Sequence, residues 1–424
     1  MSRDTRLVSR PARAVCVDVG STYTKAALID LAGARLIRRA EVPTTSATDV
    51  LAGLEAAVAA AGGDGAPRYV CSSAGGGLRL AVVGYESLVT AEAGHRVGLS
   101  AGAQVVHVAA GPLTGAAVAA LRAARPDVLL LVGGTDGGDG EVLLHNARRL
   151  AANRLRIPVV VAGNADVREE AAGLLRERAV PVTATGNVLP RIGVLDPGPA
   201  RAAIREVFLR HVIGGKRLSR GPRFASLVRA ATPDAVLAGV ELLADRVAAG
   251  VLVVDVGGAT TDVYSALLPD AEAQTGPRRD VAGTLWRLRT VEGDLGVAAG
   301  AAGTRAAAAA ERLDEPGEER ALAAAAATVA LRRHARGHPA GPGLPRTGGR
   351  DLRDVRLVVG SGGVLRHGGG DHVLGALLAD TAGGWALPDR ARTVIDREYV
   401  LAAAGLLAAD HPSAAAGLVD TLSA

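Results

Sequence analysis

Residues 15–30 read VCVDVGSTYTKAALID, and residues 252–265 read LVVDVGGATTDVYS. Each stretch is a β-branched apolar run, then Asp-Val-Gly, then small and hydroxyl residues, then a second apolar run. Placed in register, Gly20 meets Gly257, Thr24 meets Thr261, and Lys25 meets Asp262. A strand, a tight glycine turn and a second strand make a β-hairpin, with glycine giving the turn its backbone freedom. One Asp-Val-Gly is an ordinary turn signal; two in matched context point to a repeated structural unit. Two such hairpins predict two similar halves facing each other across a cleft.

The residue types at these turns suit a phosphate. Backbone N–H groups must point inward there, and a side chain at the glycine positions would block the approach. Ser21 and Thr22 add hydroxyl donors, and Lys25 is placed to neutralise a terminal phosphate. Gly257, Gly258, Thr260 and Thr261 offer the same chemistry in the second copy. Asp18 and Asp255 are the candidate catalytic residues and magnesium ligands. They would hold the ion through its waters, since magnesium keeps much of its hydration shell. Asp255 is also placed to orient an attacking water, because phosphoryl transfer is mostly positioning and charge neutralisation.

The 424 residues, 49% hydrophobic and 21% charged, suffice for two to three domains with full cores and exclude a disordered chain. No apolar run has the length of a membrane span. The start, MSRDTRLVSRPARA, is basic without an apolar stretch, so it reads as a frayed leader and not a signal peptide. Cys16 and Cys71, the two cysteines, lie in apolar strand-like runs and are too few for a disulfide framework. That usage predicts a reducing compartment, the cytoplasm. The net charge of +5 comes almost wholly from arginine, Lys25 and Lys216 being the lysines, and aromatics are 2%. A base-stacking platform cannot be built from so few rings, so no nucleic-acid partner is expected.

Between the hairpins, strands alternate with helical stretches. DVLLLV leads into GGTDGGDGE, IPVVVA into GNAD, and VPVTAT into GNVLP. That alternation predicts parallel βαβ units, read as an inserted α/β lobe. The expected organisation is a leader over 1–13, a first domain over 14–126 and the lobe over 127–215. A second domain over 216–412 and a tail over 413–424 follow. The stretch 334–351 is proline- and glycine-rich and reads as a surface loop.

The order of loops resembles the actin-like ATPase superfamily, which includes sugar kinases, heat-shock chaperone ATPases and actin. Residues 18–25 are similar to its first phosphate motif and 255–262 to its second. TPDAVLAGVELLA (232–244) resembles the first connecting helix, and EYVLAAAGLLAA (398–409) the second, where Ala404 and Gly405 let two helices cross closely. VVGSGGVLR (358–366) resembles the adenosine motif, which places Gly360, Ser361, Gly362 and Gly363 against base and ribose. The resemblance implies an actin-like, ribonuclease H-like α/β fold of two similar domains around a nucleotide cleft, with ATP and Mg2+ as cofactors.

Further strings narrow the resemblance. DVGSTYTKAALID, SSAGGGLRLAVVG (72–84), LLLVGGTDGGDGEVLLHNA (129–147), VVVAGNADV (159–167), RTVEGDLGV (289–297) and IDREYVLAAAGLLA (395–408) are similar to the glutamate mutase L family. That family is unrelated to the mismatch-repair protein that shares its short name MutL. The resemblance runs from about residue 14 to 410. It implies an ATP-dependent, chaperone-like accessory factor for an adenosylcobalamin-dependent mutase such as glutamate mutase, with that mutase as protein partner. A small-molecule kinase on the same fold is one alternative, although no catalytic base facing a polar substrate pocket stands out. A nucleotide-binding scaffold that hydrolyses nothing is the other.

The remaining polar clusters have plainer readings. The loop 133–140 lacks G-x-G-x-x-G spacing, and Asp136, Asp139 and Glu141 would repel a pyrophosphate, so it reads as a partner-binding or structural loop. Gly215-Lys216 is followed by Arg217, which excludes a P-loop. Glu292 and Asp294, within the Gly-bounded loop 292–296, read as a solvated turn. His334, His338, His367 and His372 lack tight ligand spacing and read as solvated loop histidines.

Overall fold

The fold is that of a computed structural model, which describes residues 12–74, 78–213, 218–269, 285–339, 346–347, 349–380, 387–388 and 390–423. The first hairpin is β1 (Arg13–Val19) and β2 (Tyr23–Asp30), with β3 (Arg35–Pro43) antiparallel beyond it. β4 (Arg68–Ser72) runs parallel to β1 on its other side. β1 has neighbours on both sides and both faces covered, so Ala14 to Val17 are all buried, as a continuous apolar run requires. α1 (Val50–Ala60) packs on β1, β2 and β3, its N-terminus capped by the Asp49 carboxylate accepting from Leu51 N at 2.9 Å.

The chain then builds a separate parallel sheet. Its strands are β5 (Arg79–Gly84), β6 (Gln104–Ala110), β7 (Val128–Leu131), β8 (Val159–Val161) and β9 (Val182–Ala184), in the order β6-β5-β7-β8-β9. α2 (Thr90–Ser100) lies on one face, where Gly94 and Gly98 face Val82 and Leu80. α3 (Gly115–Ala123), α4 (Glu141–Ala152) and α5 (Arg168–Arg176) cover the other, burying Leu121, Leu143, Leu150 and Leu175 against Leu129, Leu131, Val159 and Val161. Each fully buried leucine or valine contributes about 1.5–3 kcal/mol over leaving it exposed. α6 (Gly198–Val207) packs back beside α2, so the sheet is wound on both faces. The sheet starts at β5, so the parallel layer takes in residues 79–126 as well as the 127–215 expected for the lobe. Leu80–Val83 is a four-residue apolar run with no alternation, which pattern alone does not assign to one sheet or another.

After α7 (Arg223–Leu227), β10 (Val228–Ala231) joins the first sheet beside β4, completing the order β10-β4-β1-β2-β3. α8 (Thr232–Val247) leads into the second hairpin, β11 (Gly250–Val256) and β12 (Thr261–Ala266), with β13 (Arg287–Glu292) antiparallel to β12. α9 (Ala301–Ala310) and α10 (Glu319–Arg336) follow, then a two-stranded ribbon of β14 (His338–Pro339) and β15 (Arg346–Thr347). β16 (Val355–Ser361) pairs in parallel with β11, and after α11 (Gly370–Ala379), β17 (Arg392–Ile395) pairs with β16. The resulting order, β13-β12-β11-β16-β17, repeats the first sheet strand for strand. The registers match too. Asp18 faces Lys25 and Asp255 faces Asp262, while Val19 faces Thr24 and Val256 faces Thr261. The in-register reading of the two hairpins therefore holds along the whole sheet. The α/β fold is built on two copies of one hairpin-led sheet.

Two helices close the chain, α12 (Val400–Leu407) and α13 (Pro412–Ser423). The segment expected as a tail is thus helical, with Ala415, Leu418, Val419 and Leu422 buried in an amphipathic pattern. α10 is buried along Leu322–Arg332, its alanines packed against β11 and β16. Residues 334–336 end that helix and do not begin the expected surface loop, while 340–345 lie outside the described residues. The chain divides into two compact units. One takes Met1–Gly76, Arg217–Leu242 and Val400–Ala424; the other takes Gly77–Lys216 and Leu243–Tyr399. This partition differs from the linear one expected from the sequence, because α12 packs on β1 and β4 and α8 crosses α12. Residues 1–11 of the expected leader and Lys216 lie outside the described residues.

Within the first unit, α8 and α12 meet backbone to backbone. A Cβ on Gly239 would fall 2.1 Å from Leu401 O, and one on Gly405 would fall 1.9 Å from Ala235 O. The small residues quoted for the two connecting helices are what permits this. Gly405→Val is expected to cost about 1–3 kcal/mol through forced separation of the helices. A urea unfolding midpoint that stays at the wild-type value would refute the close crossing.

Candidate functional site

At the first turn, Gly20 N donates to Tyr23 O at 3.0 Å, and a Cβ on Gly20 would sit 2.7 Å from that oxygen. The tip residues Ser21, Thr22 and Tyr23 are exposed. Thr44, following β3, braces the turn from behind. Its Oγ1 donates to Gly20 O at 2.9 Å, its N donates to Thr22 O at 2.8 Å, and it lies 2.9 Å from the buried Thr24 hydroxyl. Asp18, half-buried at the end of β1, accepts from Thr232 Oγ1 at 2.5 Å and from Cys71 Sγ at 3.6 Å. Thr232 is the first residue of α8, so the carboxylate is tied directly to the start of that helix. Lys25 stands opposite Asp18 on one side and opposite Glu41 of β3 on the other.

The second turn is built the same way, with Gly257 N donating to Thr260 O at 2.9 Å. Asp255 is half-buried at the end of β11, in register with Ser361 of β16 as Asp18 is with Cys71. Here the brace is the loop after β13. Val297 N donates to Gly257 O at 3.1 Å, Ala298 N to Gly258 O at 2.8 Å, and Thr261 Oγ1 to Leu295 O at 3.1 Å. Gly296 and Gly300 are required by this packing, since a Cβ on either would fall within 2.6 Å of the turn's backbone. Gly258 and Ala259 remain exposed at the tip.

The glycines after β16 close on the same strand end. Gly362 has φ +102°, and its Cβ would lie 2.1 Å from Val256 O, so only glycine fits. Gly360 is tightly packed against Leu365 and Ile395, whereas nothing stands within 4 Å of a Cβ built on Gly363. Ser361 is buried. Beyond them Arg366 stacks on the Tyr399 ring at 3.8 Å and donates through Nε to Arg397 O at 3.0 Å. Asp255, Gly257, Gly258, Thr260, Thr261 and Gly360 to Gly363 thus belong to one unit, and Asp18, Gly20, Ser21, Thr22 and Lys25 to the other.

Glu292 ends β13 mostly buried, whereas Asp294 lies in an exposed turn as expected, and Arg333 pairs with both. Arg333 of α10 donates through Nη1 to Glu292 Oε2 at 2.7 Å and to Asp294 Oδ1 at 2.8 Å, and through Nη2 to Asp294 Oδ2 at 3.0 Å. Burial pushes the Glu292 carboxyl up against the pull of Arg333. Burial acts the same way on Asp294, but there Arg333 wins and holds it below the usual carboxylate range. These acids brace the second turn's loop. Asp262 is likewise spoken for: Arg289 of β13 donates through Nε to its Oδ1 at 2.8 Å and through Nη1 to Gly102 O at 2.5 Å.

His334 also departs from expectation. It is 1% exposed inside α10, with Nδ1 2.8 Å from Thr290 Oγ1 and Nε2 2.8 Å from Ser265 Oγ. Burial, and then the charge of Arg350, pull its pKa down to about 3. The native state therefore binds no proton here across the range where the unfolded chain does, and stability falls as pH drops below about 6.5. His334→Gln is expected to flatten that acid-side slope in pH-dependent urea unfolding, and an unchanged slope would contradict the assignment. His367 and His372 are exposed.

The loop 133–140 is held by buried asparagines. Asn164 Nδ2 donates to Gly138 O at 2.8 Å, and Asn187 Nδ2 donates to Gly134 O at 3.0 Å and Asp136 Oδ1 at 2.8 Å. Asp136 also accepts from Ala165 N at 2.9 Å, so its carboxylate staples neighbouring loops together. Both cysteines are buried strand residues, as their sequence context predicts, and burial raises both thiols. Thr44 and Arg333 shape the site from outside the quoted motifs, and Thr232 and Arg289 each open a quoted string that assigns them no role.

Among known proteins, the MutL protein family matches residues 14–321 and 310–422 of this chain. Protein MutL of Clostridium tetanomorphum is 33% identical over 448 residues, covering 94% of this chain and 96% of its own length. Similar solved structures include component A of (R)-2-hydroxyglutaryl-CoA dehydratase from Acidaminococcus fermentans. It has a TM-score of 0.31 at 9% identity, over 97% of this chain and 99% of that one. A carbohydrate kinase from Novosphingobium aromaticivorans has a TM-score of 0.33 at 14% identity, over 95% and 92% of the two chains.

Proposed function

This chain belongs to the MutL protein family, and on that premise we propose that it is an ATP-dependent accessory factor for an adenosylcobalamin-dependent mutase such as glutamate mutase. The observation that carries the nucleotide reading is the repeated turn. Two identically ordered sheets each end their first strand in an aspartate, followed two residues later by a glycine whose N–H closes the same bond. An ordinary surface turn has no reason to recur with its aspartate, its buried threonine and its bracing loop.

The donor set fits Mg-ATP. Each strand-end carboxylate, taken in its own unit, is half-buried and a hard oxygen ligand of the kind that holds a hydrated magnesium ion. Ser21, Thr22 and Thr260 supply hydroxyls at the turn tips, and Lys25 supplies the positive charge for the phosphates. Gly363, exposed with nothing within 4 Å of a Cβ built on it, leaves a side-chain-free surface for base and ribose. When bound, Mg-ATP supplies a phosphoanhydride whose hydrolysis can drive a conformational change. Asp255 positions the attacking water in that step. The hydrogen bond from Thr232 to Asp18 is the route by which the state of the site reaches α8, and the crossing at Gly239 and Gly405 carries it to α12. A mutase partner reads that state, and the task is reactivation or assembly of its cobalamin enzyme in the cytoplasm. No helix among the described residues is long and apolar enough to cross a membrane.

The test is steady-state hydrolysis of Mg-ATP by the purified chain, alone and with an adenosylcobalamin-dependent glutamate mutase. Turnover raised by the mutase supports the proposal. Tight nucleotide binding without turnover in either condition would replace it with a nucleotide-gated scaffold.

A further inference from the structure

Among the described residues five arginines are buried, and in four of them the Nε side of the guanidinium is engaged. Arg332 grips the Asp380 carboxylate with Nε at 2.7 Å and Nη2 at 2.6 Å. Arg289 holds Asp262 in the same two-pronged way, at 2.8 and 2.5 Å. Arg96 donates through Nε to Glu92 Oε1 at 2.7 Å, and Arg366 through Nε to Arg397 O. Arg350 is the fifth, 8% exposed. Its backbone N donates to Ala335 O at 2.7 Å and its Nη1 donates to Leu285 O, but its Nε and Nη2 have no hydrogen-bond partner. The acid beside it in sequence, Asp351, is taken by Arg353, whose Nε lies 2.9 Å from its Oδ1. Burial, and then the charge of Arg96, pull the Arg350 pKa down to about 9, which leaves it protonated near neutral pH. A buried cation is costly unless an anion pairs with it, and water on the two N–H groups would supply acceptors without cancelling the charge.

We propose that the Nε–Nη2 edge of Arg350 binds a small oxyanion, a phosphate or a carboxylate, through two of its oxygens. The two N–H groups on that edge of a guanidinium are parallel and spaced to match two oxygens of one such anion, as Arg332 and Arg289 do with aspartate. A halide offers a single point of charge and cannot bridge them. Arg350 is fastened to the last turn of α10 through Ala335 and to Leu285, which leads into β13. An anion that neutralises it therefore stabilises the packing of α10 beside β13. The site is separate from the second turn. His334, on which the Arg350 charge acts, bonds Ser265, four residues along β12 from Thr261 and about 13 Å away at strand spacing.

Urea unfolding of the nucleotide-free full chain reads the site, at constant ionic strength, with chloride replaced stepwise by inorganic phosphate in one series and by acetate in another. The wild-type midpoint should rise and then level off with at least one of them, and the one that acts says which oxyanion the edge takes. Arg350→Met removes the charge at similar length and is expected to fold, with a midpoint in chloride at or above that of the wild type. Arg350→Lys keeps the charge without the two-donor edge, and it decides the matter if the methionine variant does not fold. Each substitution is expected to raise the oxyanion concentration needed for half the rise at least about tenfold. Nucleotide is absent throughout, so the outcome is independent of the ATP reading. A wild-type midpoint that responds to neither anion overturns the proposal. So does a rise that persists unchanged in the variants, which binding at the hairpin turns or a general salt effect would give.

Discussion

Asp255→Ala is expected to lower ATP turnover by about 10²–10⁴-fold while Mg-ATP still binds. The carboxylate ends β11, directly before the turn closed by Gly257 and Thr260, so its removal takes a charge from the turn without opening a cavity in the core. The structural contacts of that turn come from the backbone of Val297, Ala298 and Gly300, which the substitution does not touch. Asp18→Ala should behave differently. Asp18 accepts from Thr232 and Cys71, so its loss strands a hydroxyl and a buried thiol and disturbs the start of α8. Weakened Mg-ATP binding is its expected signature, against lost turnover with retained binding for Asp255→Ala. Isothermal titration beside a phosphate-release assay separates the two. If Asp255→Ala hydrolyses ATP at the wild-type rate, the assignment of the water-positioning role to this residue fails.

The hairpins, their register and the tight helix crossing were legible because each is a local pattern. Asp-Val-Gly between apolar runs sets a turn whose hydrogen bond spans three residues, and Gly405 in an alanine-rich helix signals close approach whatever lies opposite. What the motifs did not announce is long-range electrostatic pairing. Glu292 and Asp294 look like turn acids until Arg333, 41 and 39 residues on, closes over them. Asp262 looks like a variation on Lys25 until Arg289 arrives 27 residues later on the next strand. His334 sits beside glycine-rich sequence, and its burial follows from the packing of α10 rather than from its neighbours. The parallel sheet's first strand was hidden for a related reason: an apolar run without alternation marks burial but not which partner it pairs with. By sequence the 133–140 loop reads as structural or partner-binding, and the asparagines that staple it favour the structural role.

The Arg289–Asp262 pair makes the strongest prediction about stability. Burial alone would strip the charge from Arg289, but Asp262 keeps it protonated and raises its pKa; burial also pushes the Asp262 carboxyl up even with Arg289 beside it. Arg289→Met fills much of the same space and removes the counter-charge, leaving a buried carboxylate uncompensated. The expected cost is about 3–5 kcal/mol near neutral pH. The sign with pH follows from linkage. In the variant the folded-state pKa of Asp262 lies further above its unfolded value of about 3.9, so the native state holds a proton that the unfolded chain releases. The penalty is absent below the unfolded pKa and grows as pH rises toward the folded one, so the variant should be relatively more stable near pH 5 than near pH 8. Adding Asp262→Leu removes the stranded charge and should recover most of the loss, since a well-packed apolar pair often matches a buried ion pair. Urea unfolding of the two variants at both pH values decides the matter. A single variant that loses less than about 1 kcal/mol, or loses the same amount at both pH values, would mean that water reaches Asp262 and that the pair is a surface bridge, worth little.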